Sequence, residues 1–114
     1  LKRFAETDWR SKDHHLLGME QEAWLTGGIT ASARAGTRWQ ICAQQVNMGA
    51  TFLPPEAKGW FPPNLPPEFQ RGIATATAAA AAGLPISMDT WDGYPAARER
   101  LLKAVQAADS DFVV

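Results

Sequence analysis

The sequence predicts an α/β fold, and three observations carry that expectation. A helical stretch opens at Gly18. An alanine-rich tract and a proline-started helix occupy the second half. Two short apolar runs, Trp39–Gln44 and Asp111–Val114, read as strands set among them. The order helix, strand, loop, helix, helix, strand is that of an α/β chain. Its 114 residues suffice for one small domain with a modest core and not for two.

Leu1–His15 is polar, mixed in charge and without clear periodicity, so it reads as loop. From Gly18 onward Met19, Glu20, Gln21, Glu22, Ala23, Trp24 and Leu25 are mostly good helix formers, with acids in the first turn where the dipole favours them. Leu17, Gln21, Trp24 and Gly28 fall at three-and-four spacing. Gly27 and Gly28 each weaken a helix by roughly 1 kcal/mol relative to alanine. The helix is expected to thin there, resume through Ile29–Ala35 and stop at Gly36.

Arg38–Met48 alternates in part, Trp39, Ile41 and Ala43 against Gln40, Cys42 and Gln44, which predicts a mostly buried strand of about six residues. Residues 53–70 carry three Pro-Pro pairs. Proline fixes its own φ and pushes the preceding residue to extended geometry, so the segment is expected to be a long loop. The run from Glu68 is helical because alanine has no side chain to order, and Gly83-Leu84-Pro85 stops it. Ile86–Met88 reads as a short extended piece. Pro95 suits a first helical turn. The helix Pro95–Ala108 is expected to bury Ala97, Leu101, Leu102 and Val105 and to turn Arg98, Glu99, Arg100 and Lys103 to water.

Composition excludes several classes. Apolar residues make up 46% and charged residues 20%, which is globular rather than disordered. A formal charge of -1 gives no field that attracts nucleic acid or an anionic membrane, so no nucleic-acid-binding surface is expected. No run approaches the roughly 18 apolar residues of a membrane span, and the first residues, LKRFAETDWR, lack the apolar stretch and small-residue cleavage site of a signal peptide. The single Cys42 forms no internal disulfide and leaves the compartment open. The chain lacks an initiator methionine and ends on the apolar run Phe112-Val113-Val114, so it reads as a segment cut at both ends.

Self-contained chemistry has little support. His14 and His15 beside Asp13 invite a metal, but adjacent side chains diverge, and they read as exposed loop residues. Glu20 and Glu22 read as a solvated first turn. No Cys-x-x-Cys, His-Glu-x-x-His, phosphate-binding glycine loop or Gly-x-Ser-x-Gly elbow occurs. The strongest feature is Asp89–Tyr94, where Trp91, Asp92, Gly93 and Tyr94 precede the Pro95 helix. As a turn, Asp92-Gly93 bends the chain, Asp89 or Asp92 accepts amide hydrogens, and Trp91 is core. As a site, carboxylates and aromatic rings before a helix N-terminus line a pocket for an anion or metal. Both readings remain open at this point.

Three segments carry a family resemblance: LLGMEQEAWL at 16–25, RWQICAQQVNM at 38–48 and DTWDGYPAARERLL at 89–102. In this order they resemble the later half of the metallophosphatase domain of the alkaline phosphatase D (PhoD-like) family, from Leu16 onward, with residues 1–15 matching poorly. The resemblance implies a partial domain over 1–114, an incomplete segment of a four-layer α/β/β/α metallophosphoesterase fold. It implies an exported, periplasmic or secreted enzyme that hydrolyses phosphate monoesters and diesters with ferric iron and calcium. Clustered cations offset phosphate charge and activate bound water. The family's early ligand motifs are absent here, and Ser110-Asp111-Phe112-Val113-Val114 stops short of its late Gly-Asp-x-His. Cys42 does not match the family's metal-binding cysteine. The segment itself is therefore expected to bind no metal and to be inactive, with Asp92 and Tyr94, next to Trp91 and Asp89, positioning substrate or the groups around it. The alternative is a non-catalytic module that presents the proline-rich segment to a partner.

Overall fold

The computed structural model describes residues 1–114, the side chain of Pro55 excepted. The elements are α1 (Lys2–Glu6), α2 (Met19–Arg34), β1 (Trp39–Ile41), α3 (Pro67–Ala81), α4 (Pro95–Ala107) and β2 (Asp111–Val113), with 3-10 turns at Asp8–Arg10, Pro55–Trp60 and Trp91–Gly93. The expected loop at 1–15 is thus partly helical. Trp9 is buried and, with Ala5 and Leu84, forms a small core, so tertiary packing orders a segment with no periodicity of its own.

The α2 helix runs through Gly27 and Gly28 without a pause and ends before Gly36 at φ +83°. Its inward row is Leu25 and Ile29, which pack in the core with Trp91, Ala97 and Leu101 of the second half. The row containing Gln21 and Trp24 faces outward, and Trp24 is 73% exposed. Burial of Leu25 and Ile29 against α4 outweighs the propensity cost of the two glycines. On α4 Ala97 and Leu101 are buried, whereas Leu102 is exposed, because neighbours about 100° apart cannot share one core-facing stripe.

β1 and β2 pair in parallel, in the register Trp39 to Asp111, Gln40 to Phe112 and Ile41 to Val113. The six-residue strand expected at 39–44 shortens to three residues. One further bond, from the Cys42 amide to the Val113 carbonyl at 2.8 Å, closes the ladder, since β2 offers no partner beyond it. Nor is the strand mostly buried: Gln40 is enclosed, whereas Trp39 and Ile41 are 57% and 77% exposed. Ile86–Met88 joins no sheet; the Ile86 amide bonds to the Thr51 carbonyl at 3.0 Å.

The proline-rich segment is not an open loop throughout. Its 3-10 turn Pro55–Trp60 buries Ala57, and the turn packs on α3, which starts inside the segment at Pro67. The α3 helix ends as expected, before Gly83 at φ +74°. The whole is elongated, 58 × 26 × 19 Å with a radius of gyration of 17.8 Å, against about 13 Å for a compact chain of this length. No described helix is long and apolar enough to cross a membrane.

Trp24, Trp39 and Ile41, with Gly28 and Phe112, line an apolar groove of about 490 Å³ between α2 and the sheet. A parallel sheet normally has both faces covered, and these open strand edges and apolar side chains are adhesive. The 114-residue chain alone is expected to self-associate at micromolar concentration in sedimentation velocity. Ile41→Lys with Val113→Lys should shift it to monomer, and a monodisperse wild-type monomer would contradict this.

Candidate functional site

The Asp89–Tyr94 loop is a tightly built turn. Thr90 is extended, and its hydroxyl accepts the Asp92 amide at 3.3 Å. The Gly93 and Tyr94 amides bond back to Thr90 and Trp91 carbonyls at 3.0 and 3.1 Å. Only glycine fits at position 93: a Cβ there would lie 1.9 Å from the Met88 carbonyl oxygen, which is backbone and cannot swing away.

Asp92 and Trp91 point inward. Asp92 is 3% exposed, and its oxygens are committed. Oδ1 pairs with Arg98 Nη1 at 2.5 Å, Oδ2 accepts the Thr51 amide at 2.8 Å, and the main-chain carbonyl accepts Trp9 Nε1 at 2.7 Å. Arg98 reaches further, to the Met48 carbonyl at 3.3 Å. The Trp91 ring fills the core, and its Nε1 donates to Gln44 Oε1 at 2.8 Å. Tyr94 is half-buried, and Asp89 is exposed.

Topology gives the turn its location. The α4 helix feeds β2 through a short turn, so the start of α4 lies toward the carboxyl end of β2. Gln44, the Trp91 partner, follows β1 by three residues. The loop therefore sits on the carboxyl-end side of both parallel strands, the side on which open α/β sheets bind ligands.

A second network lies close by. Arg100 clasps Glu22 through Nε and through Nη2, the latter at 3.0 Å, and also donates to the Lys12 and His14 carbonyls at 2.9 and 3.1 Å. His15 Nδ1 contacts Glu22 Oε2 at 2.7 Å. The Arg100 hydrogen bond holds the Glu22 carboxyl below its ordinary range, against burial, and His15 adds to the effect; the same bond raises Arg100. Four residues expected to face solvent, His15, Glu22, Arg98 and Arg100, are thus tied into hydrogen-bonded networks. One signal was available for Arg98. A cation in the first turn of a helix opposes the dipole and calls for a nearby carboxylate. Nothing local marks Glu22 and Arg100, which are separated by 78 positions.

Between the lead-in segment and the loop lies a groove of about 480 Å³, lined by Phe4, Trp9, Asp13, His14, His15, Met88, Gly93 and Tyr94. Among the described residues no three His, Cys, Asp or Glu side chains converge to hold a metal ion. Asp13, His14 and His15 do not suffice, and both Asp92 oxygens are already engaged.

Asp92→Asn should cost about 3 kcal/mol, because Arg98 then keeps a charge without its partner. Chemical denaturation of the Ile41→Lys, Val113→Lys chain measures this, and a change within 0.5 kcal/mol, about the size of an ordinary surface substitution, would contradict it. A carboxyl lowered on folding adds stability that is full above its unfolded value, here 4.5, and is lost as pH falls through the folded value. The same chain should therefore lose stability on acidification below about pH 4.5, with a smaller loss in Glu22→Gln.

The sequence model of a family described as PhoD-like phosphatase matches residues 2–114. Alkaline phosphatase D of Bacillus subtilis (strain 168) is 31% identical over 105 residues, covering 92% of this chain and 13% of that protein. The chain thus spans 13% of the length of the curated relative it matches. No solved structure matches it.

Proposed function

We propose that this chain, which belongs to the PhoD-like phosphatase family, is a positioning segment of a phosphate-ester hydrolase. The observation that supports this role most is the seat of the Trp91–Gly93 turn and the start of α4 on the carboxyl-end side of β1 and β2. There the positive end of the α4 dipole favours a phosphate, and a rigid turn orients what it carries.

Within the turn, Trp91 and Asp92 hold the backbone. Tyr94 and Asp89, which are less enclosed, are the residues left to meet substrate or bound water. A metal centre, ferric iron with calcium as the resemblance implies, would offset phosphate charge and activate water. Its ligands belong to sequence outside this segment. The chain's own part is to place Tyr94 and to exclude water behind the turn with Trp91 and Leu101, so it has no turnover alone. Export to the periplasm or beyond goes with the same reading. The proline-rich segment folds onto α3 instead of standing out as an extended ligand, which weighs against a binding module.

A longer protein carrying this chain should hydrolyse 4-nitrophenyl phosphate and bis(4-nitrophenyl) phosphate. The isolated chain should hydrolyse neither, with or without added calcium and iron. Turnover by the isolated chain would overturn the positioning role, and a longer protein inert to both esters would overturn the phosphatase reading.

A further inference from the structure

The groove between the lead-in segment and the Trp91–Gly93 turn has the size of a small-molecule pocket, about 480 Å³. Its chemistry is mixed. Phe4, Tyr94, the thioether of Met88 and the buried Trp9 supply an aromatic and apolar lining suited to a planar ring. Asp13, His14, His15 and the Tyr94 hydroxyl supply polar groups. No lysine or arginine lines it, and Asp13 adds negative charge, so the groove is ill suited to a phosphate and suited to an uncharged organic group.

The groove is also held in place from behind. Trp9 is fixed by its bond to the Asp92 carbonyl, and Gly93 by its closeness to Met88. His15 is fixed through Nδ1. Glu22 Oε2, which can only accept, lies 2.7 Å from that atom, so Nδ1 carries the proton. Arg100 Nη2 also lies 3.0 Å from Nδ1, but its two hydrogens are taken by Glu22 and the His14 carbonyl. The other ring nitrogen, Nε2, makes no hydrogen bond among the described residues and is the atom left for a ligand. Pre-ordered walls reduce the ordering cost of binding.

We propose that this groove is the subsite that receives a planar aromatic group of the phosphate ester, with Tyr94 as its stacking face and His14 and His15 as its polar edge. The inference rests on the phosphatase reading above and adds a substrate class to it. The groove adjoins Tyr94, where α4 begins, so a phosphate held on the carboxyl-end face of the sheet would have its organic substituent directed here.

The test uses the longer protein and compares kcat/KM for phenyl phosphate with that for glycerol 2-phosphate. Tyr94→Ala removes the stacking face, and His14→Trp, at an exposed loop position that tolerates change, fills the groove. In both variants the ratio of phenyl to glycerol ester should fall about 10-fold, the size of one aromatic pair. If Tyr94→Ala fails to fold, His14→Trp decides alone. A wild-type protein that hydrolyses both esters, with variants that keep its ratio even where both rates drop, overturns the subsite and leaves the phosphatase reading standing. A wild-type protein that hydrolyses neither overturns both.

Discussion

A buried carboxylate organises this molecule. Asp92 is almost wholly removed from water, and a charge in that position is tolerated only where every oxygen is met by a donor. The donors come from three places in the chain: Arg98 on α4, the Thr51 amide in the segment after β1, and Trp9 in the lead-in, which binds the main-chain carbonyl. Satisfying one residue therefore brings together segments that no regular element connects. Such networks contribute little net stability compared with an apolar replacement. What they supply is a single arrangement, because each alternative leaves a buried group unpaired.

The sheet imposes the opposite demand. Two short parallel strands present Trp39, Ile41 and Val113 outward and hold Gln40 inside. The buried Gln40 Oε1, Gln44 Nε2 and Ser110 Oγ have no hydrogen-bond partner. Parallel sheets normally have both faces covered and their buried polar atoms bonded, and this one departs from both rules. The chain spans 13% of the length of the curated relative it matches.

The sequence made the helices legible because their determinants are local: alanine density in α3, Pro95 at the start of α4, and glycines at positive φ after α2 and α3. The turn at Asp92-Gly93 was legible for the same reason. What could not be read was the meaning of charge. Glu22 and His15 look like solvated surface residues until Arg100 arrives from the other half of the chain. Nor does a pattern of alternating residues tell which of its two rows is covered, so the strand expected to be mostly buried leaves Trp39 and Ile41 exposed and encloses only Gln40. The lead-in segment failed differently. Its order comes from Trp9 docking at Asp92, a contact across 83 positions that no window of sequence contains.

Within four residues the turn separates holding from presenting. Trp91 and Asp92 face inward, Gly93 lets the backbone pass against Met88, and Tyr94 emerges at the rim of the groove. The direction of each side chain is fixed by the one before it, since a three-residue turn leaves no slack between Thr90 and the first turn of α4. A tyrosine at this position is therefore placed by the buried pair behind it. Chemistry at this face would be sensitive to Asp92 and Arg98 even though neither reaches a substrate, because a small shift of the turn moves the phenol and the wall of the groove together.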